Sequence, residues 1–384
     1  MRPPQWEESW KVVISLLPAD WQRQARRQGA VERLRGFGSV EDLLHTVLLH
    51  VGQGYSLRET VVRAKAAGIG AVSDVALLKR LRKCESWLRW LCVSLLAEEG
   101  VEMPAGRQGW RVRALDGTVV KEPGRTGSQW RIHYSLQLPS MLCDHLEVTA
   151  VKGSGTGEQL QRFTARRGDL VLGDRGLCRP GGIARVVAQG AQTIVRVNTG
   201  TLPLYTERGQ RFDLRKRLRG LSGCGVVGDW SVRVGPERGA SRGRVCALRK
   251  SQQQAQRALR KIRRKAQTGG GQPRPETLEF ARYVVVFTTV GRFRLSGAEV
   301  LEWYRLRWQI ELVFKRLKSL LRVGHLPKYD DRSSRAWLYG KLLVALLVEK
   351  LIRMGRTISP WGYSLSASPA PPDQTQDAQP LAGV

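Results

Sequence analysis

The stretch DLVLGDRGLCRPGGIARVVAQGAQTIVRV, Asp169 to Val197, decides the fold of this chain. It opens on Asp169 to Leu172, a short run, apolar after its first residue, that ends at Gly173-Asp174. A run of that length bounded by turn residues reads as a strand buried on both faces. Gly181 to Gln189 then reads as a helix and Gln192 to Val197 as another strand. Strand and helix in alternation place the segment in an α/β layer architecture.

Upstream of it the pattern is all strand. Trp110, Val112 and Ala114 alternate with Arg111 and Arg113 toward Leu115-Asp116-Gly117, Trp130, Ile132 and Tyr134 alternate next, and His145 to Val151 supplies a third strand. Gly155 to Phe163 fits a short helix. Three meandering strands followed by alternating helix and strand is the order of a ribonuclease-H-like α/β domain.

The first hundred residues carry helical periodicity instead, over Val40 to Val51, Leu57 to Ala67, Asp74 to Arg82 and Glu85 to Glu99. Ser56-Leu57-Arg58-Glu59 has the form of a capping box, and Ser73 is placed to cap the next helix. The pair resembles a helix-turn-helix whose second helix offers Lys79, Arg80, Arg82 and Lys83 to DNA. Residues 200–290 interrupt the α/β pattern with short strands around Gly225 to Val234, Arg244 to Leu248 and Tyr283 to Thr289. They also hold a basic run, Lys250 to Lys265, with Arg257, Arg260, Lys261, Arg263 and Arg264 and no acidic residue. Such a block is a solvated loop or a phosphate-contact element. Ser334 to Ile352 is a further amphipathic helix, and the Ser, Pro, Ala, Asp and Gln-rich end reads as disordered. The expected layout is a helical domain over 1–105, a ribonuclease-H-like core over 106–199 and 291–355, a β-rich basic insertion over 200–290, and a disordered tail over 356–384.

Composition narrows the partners. The 384 residues are 42% hydrophobic, enough for substantial cores, while 64 Lys and Arg against 33 Asp and Glu give a formal charge of +31. The basic residues are spread along the chain, which suits an extended contact with double-stranded DNA better than a small phosphate ligand. A membrane surface fits poorly, because no lipidation motif, signal peptide or spanning run is present; the longest late apolar run, Leu342 to Val348, is far too short. The six cysteines form no CxxC pair and read as reduced thiols of a soluble cytoplasmic protein, and the five histidines show no zinc spacing.

The chemistry is carried by three acidic positions. In YRLRWQIELVFKRLK, Tyr304 to Lys318, the residues Tyr304, Arg307, Glu311 and Lys318 fall within roughly 60° of one another on a single helix. Beside them runs an apolar stripe of Trp303, Leu306, Ile310, Val313, Phe314, Leu317 and Leu321. By itself this row also fits a solvated edge with an Arg307–Glu311 ion pair. Asp116 in LDGT and Asp174 in GDRG each close a strand, with glycine following to let the backbone turn. Three carboxylates brought to one cleft suit Mg²⁺, and two ions about 4 Å apart are the usual device for phosphodiester chemistry.

LDGTVV, GDRG and Tyr304-x2-Arg307-x3-Glu311-x6-Lys318 together resemble the motifs of DDE transposases of bacterial insertion sequences, in the insertion-sequence-four family, over roughly residues 110–350. The resemblance implies a ribonuclease-H-like core with a β-rich insertion, and cleavage at transposon ends, often through a hairpin, followed by strand transfer. It implies Asp116, Asp174 and Glu311 as ligands of Mg²⁺, with Mn²⁺ as substitute and two ions in all. It also implies Tyr304, Arg307 and Lys318 as phosphate contacts and a homodimer on the DNA. Trp230 is the candidate for stacking on a flipped base, and Arg260, Arg263, Arg264, Lys79 and Arg82 are candidate DNA contacts. Leu177 departs from the family's usual Tyr after Asp-Arg-Gly, which bears on packing or a DNA contact rather than on the metal. A metal-dependent nuclease of the same fold and a non-catalytic DNA-binding protein are the alternatives.

Overall fold

Asp169–Gly173 is an interior strand of a nine-stranded mixed sheet, fourth from one edge. The computed structural model describes residues 5–98, 109–121, 129–138, 140–235, 241–323, 326–327 and 330–356. The boundary expected at 105, and the expected tail from residue 357, lie outside them. In chain order the first three strands are β1 (Arg111–Lys121), β2 (Gln129–Leu138) and β3 (Cys143–Ala150), and β4 (Asp169–Gly173) and β5 (Gln192–Arg196) flank the helix α7 (Pro180–Ala188). The order across the sheet is β3-β2-β1-β4-β5, and β1, β4 and β5 run parallel. Every residue of β4 is buried, Leu170 to Leu172 as an apolar run requires and Asp169 against Arg111 and Arg113. Arg113, expected on a polar face of β1, is buried as well. It is held by Asp144 at 2.7 Å and Asp169 at 3.3 Å, partners without which a charge there would be costly.

The remaining elements are β6 (Leu204–Tyr205), α8 (Leu214–Arg219), β7 (Val227–Val234), β8 (Ser241–Arg249), α9 (Gln252–Thr268), α10 (Pro275–Phe280) and β9 (Tyr283–Thr288). Their strands continue the same sheet in the order β9-β8-β7-β6, because β9 pairs antiparallel with β5. The basic run is neither loop nor coil but the helix α9, capped by Ser251 and with no residue fully buried. The helix expected over Gly155 to Phe163 is only a 3₁₀ turn at Leu160–Arg162. Gly153 and Gly155 take positive φ there, which a helix does not allow.

The described N-terminal residues form six helices, α1 (Gln5–Ser15), α2 (Trp21–Arg27), α3 (Val40–Gln53), α4 (Leu57–Ala66), α5 (Asp74–Lys83) and α6 (Glu85–Glu98). Four match the periodicity; α1 and α2 are additional, and Trp21 of α2 stacks on Trp87 at 6.2 Å. Ser56 and Ser73 cap as expected, but Glu59 turns to Arg63, so the reciprocal capping box occurs at Ser296 and Glu299 instead. After β9 come α11 (Gly297–Arg305), α12 (Trp308–Leu320) and α13 (Asp331–Arg356). α13 packs on α3, α5, α6 and β3, so one hydrophobic core joins the N-terminal helices to one face of the sheet. A second core fills the other face under α7 and α8.

The single helix expected from Tyr304 to Lys318 is broken. Leu306, Arg307, Gln309 and Ile310 donate to carbonyls three residues back, a tighter turn that separates α11 from α12. Leu306 thereby leaves the apolar stripe and is 41% exposed. Among the described residues no helix is long and apolar enough to cross a membrane.

Candidate active site

The parallel pairing of β1 with β4 fixes the site. Its last register pair is Leu115 with Gly173, so Asp116 and Asp174 are the next residues on two adjacent strands. Asp174 does close its strand, whereas Asp116 sits within β1, which runs on to Lys121 against β2. Asp116 shares a strand face with Val112, Ala114 and Thr118 and so points to the side covered by α12. Its Oδ1 accepts from Gly117 N–H at 2.8 Å and its Oδ2 from Arg307 Nη1 at 3.5 Å.

The break between α11 and α12 lets the motif serve both aspartates. Tyr304, buried at the end of α11, donates its hydroxyl to Asp174 Oδ1 at 3.2 Å. Arg307, also buried, reaches Asp116 and donates through Nη2 to Glu311 Oε1 at 2.6 Å. Glu311 itself is exposed, and Lys318 lines an open groove with Thr118, Glu311, Phe314 and Lys315. Arg196 on β5 approaches Asp174 Oδ1 to 3.9 Å.

The electrostatics are those of crowded acids. Burial pushes the Asp116 carboxyl up to about 7; the Gly117 N–H and Arg307 oppose this, and Glu158 and Asp174 add to it. Burial, then Asp174, raises the Tyr304 hydroxyl. Burial works against the charge of Arg307, but Tyr304, Glu311 and Asp174 hold its pKa above the ordinary arginine value.

A family model described as "Transposase DDE domain" matches residues 108–347. The chain belongs to the DDE transposases. It is 32% identical over 355 residues to the transposase for insertion sequence element IS421 of Escherichia coli, covering 90% of this chain and 94% of that protein. The identity is also 32%, over 354 residues and the same shares, with InsL of element IS186A of Escherichia coli strain K12. A shorter match, 31% over 81 residues, covers 21% of the chain and 17% of the transposase for element IS1151 of Clostridium perfringens.

DDE transposases depend on a divalent metal ion, and the donor chemistry of this site fits one. Asp116, Asp174 and Glu311 offer only oxygen atoms, the donor type a hard divalent cation takes. Arg307 stands between Asp116 and Glu311 as their counter-charge. The three carboxylates are not drawn together, and among the described residues no three acidic, histidine or cysteine side chains converge enough to hold an ion.

The other expected contacts of this transposase lie apart from the carboxylates. Trp230 is on β7, four places along the sheet from β4, half-buried against Phe212 in a groove with Arg211, Lys216 and Arg217. Arg260, Arg263 and Arg264 are exposed on α9, and Lys79 is exposed on α5. Arg82 bonds to Asp330 at 3.1 Å, tying α5 to the start of α13. Leu177 is buried against Gly173 and Val195, so the departure from tyrosine is taken up in packing. Glu158 and Arg196, both close to the aspartates, belong to no motif; only the fold brings them there.

Proposed function

We propose that this transposase cuts DNA at the ends of an insertion sequence and joins the freed ends to target DNA, by a cut-and-paste route. Asp116, Asp174 and Glu311 would hold Mg²⁺, or Mn²⁺ in its place, as two ions. The observation that carries this reading is the adjacency of Asp116 and Asp174 on parallel strands, with Arg307 linking Asp116 to Glu311 on α12. Bound ions would supply Lewis acidity to the attacking and leaving oxygens of a phosphodiester. The protein's own groups do the positioning. Tyr304 fixes one oxygen of Asp174 by hydrogen bond, and Arg307 orients Asp116 and Glu311. Lys318, exposed on the open side of α12, neutralises a phosphate near the cut end.

The strand order β3-β2-β1-β4-β5 supports a ribonuclease-H-like core over 106–199 and 291–355 with 200–290 inserted into it, and the helices described within 1–105 would form a DNA-contacting domain. The exposed arginines of α9 and the aromatic, basic groove at Trp230 suit a DNA path along the insertion. Two transposon ends call for two protomers in the active complex, a homodimer on DNA.

The test is cleavage and joining of a labelled transposon end. Asp116→Ala, Asp174→Ala and Glu311→Ala are each expected to abolish Mg²⁺-dependent cleavage while the end is still bound. Full cleavage by any one of them removes it from the site. Wild-type protein that cuts but never joins a 3′ end to target would instead be a nuclease of the same fold.

A further inference from the structure

α4 and α5 are the pair that resembles a helix-turn-helix, and the structure divides their basic residues into two sets. Three of the four on α5 are engaged inside the fold: Arg80 donates to the Arg33 carbonyl, Arg82 to Asp330 at 3.1 Å, and Lys83 to Glu32 at 2.8 Å. Together with the buried Leu77 and Leu81 they fasten the C-terminal half of the helix to the body. What α5 leaves to solvent is its first half, Val75 at 58% exposed and Lys79 one turn on. α4 turns Arg58, Val62 and Lys65 outward, at spacings of four and three that keep them on one face, and Val62 is 67% exposed. Ser56 and Ser73 cap the two helices, and Arg58 meets Asp74 at 3.4 Å where they start. Val62, one turn along from Arg58, and Val75, next after Asp74, therefore belong to one surface.

The chemistry of that surface fits one kind of partner. Valine is a poor choice for an exposed helix position on grounds of stability, so the two valines call for another reason. The nearby carboxylates are matched, Asp74 by Arg58 and Glu59 by Arg63 at 3.0 Å, and Lys65 and Lys79 then set the sign of the field. An apolar centre with a positive rim complements the major groove of DNA, where phosphates line the edges and the thymine methyl is the apolar group on display. A helix-turn-helix enters that groove by the N-terminal residues of its second helix, which is the half of α5 left exposed. A second copy of a chain with formal charge +31 would meet the same surface with like charge.

We propose that this surface of α4 and α5 reads the transposon end, with Val62 and Val75 covering thymine methyl groups in the major groove between phosphate contacts from Lys65 and Lys79. The inference rests on the reading of the chain as a transposase whose helical domain contacts DNA. Its test is equilibrium binding of the full chain to a labelled transposon end made with thymidine and to the same end made with deoxyuridine, which lacks only the methyl groups. Wild type is expected to bind the thymidine end more tightly, by about fourfold for each methyl covered. Val62→Ser combined with Val75→Ser should bind both ends alike and melt as wild type does, because both sites are exposed and serine and valine have similar helix propensity. Lys65→Ala combined with Lys79→Ala should keep the preference for thymidine and lower the slope of log affinity against log salt by about 0.9 per contact. A thymidine preference that survives in the double serine variant, or is missing in wild type, overturns the reading of bases by Val62 and Val75. An unchanged salt slope overturns the contacts of Lys65 and Lys79. Failure of the transposase reading shows separately, as wild-type protein that leaves the end uncut.

Discussion

Arg307 and Lys318 come from one motif but stand in opposite environments, and their variants should separate accordingly. Arg307 is 8% exposed and bridges two carboxylates, so Arg307→Ala leaves Asp116 buried without its counter-charge. Loss of a buried partner of this kind costs about 1–3 kcal/mol, and the variant should melt lower as well as bind the transposon end more weakly. Lys318 is exposed, so Lys318→Ala should weaken end binding and leave melting unchanged. Thermal melts and end-binding titrations of the two variants check the contrast; a Lys318→Ala protein that melts lower, or binds normally, contradicts it. At this scale Asp116 and Asp174 are legible in the sequence, because each follows a readable strand and the strand order makes them neighbours. Glu158 is not, since its meeting with Gly117 and Gly176 depends on a loop held by Arg131 and Arg162, and a local motif records none of those contacts. Gly117 misleads in the same way, suggesting a turn where β1 runs on; what it provides is room, whereas Gly176 does lie in a 3₁₀ turn after β4.

At the scale of the element, α9 gives the cleanest test of the DNA path. Its half-buried stripe of Ala255, Ala258, Leu259, Ile262 and Ala266 follows helical spacing, while Arg260, Arg263 and Arg264 face solvent. Replacing all three arginines with alanine should therefore leave stability nearly untouched. If each contacts a phosphate, the slope of log affinity against log salt should fall by about 0.9 per contact, close to 3 in all. An unchanged slope removes α9 from the DNA path. That stripe is present in the sequence but is obscured by the density of charge around it, which reads more readily as loop. The break between α11 and α12 has no signature at all, for Arg305-Leu306-Arg307-Trp308 contains neither glycine nor proline. Its evident setting is tertiary: Tyr304 bonds Asp174 and Arg307 bonds Asp116 from the two sides of the break. Helix caps are the opposite case, being local, and Ser56 and Ser73 sit where the sequence places them.

Over the whole molecule, α13 is the member that joins the N-terminal helices to the sheet, and it does so with a buried cation. Lys341 is 2% exposed, with Nζ donating to Gly52 O on α3 at 3.4 Å and lying 5.1 Å from the Trp337 ring centre. Burial lowers its pKa to about 8, with Arg322 adding to the effect. In the unfolded chain the same group titrates near 10.4. Below pH 8 the ammonium is charged in both states and its full desolvation cost, about 2–3 kcal/mol, weighs on the native state. Between pH 8 and about 10.4 the unfolded chain binds more protons than the native one, so stability rises with pH through that window. Lys341→Met keeps the length of the side chain and removes the charge. It should stabilise the protein by about 1–2 kcal/mol at pH 7, after the weak bond to Gly52 is lost, and the gain should shrink to nothing as pH approaches about 10.4. Urea unfolding of both proteins across pH 7 to 10.5 measures this, and taking their difference cancels the cysteines and tyrosines that also titrate there. A gain that stays constant with pH would mean that packing, not charge, limits this helix; a loss at pH 7 would mean that the bond to Gly52 outweighs the burial of the ammonium.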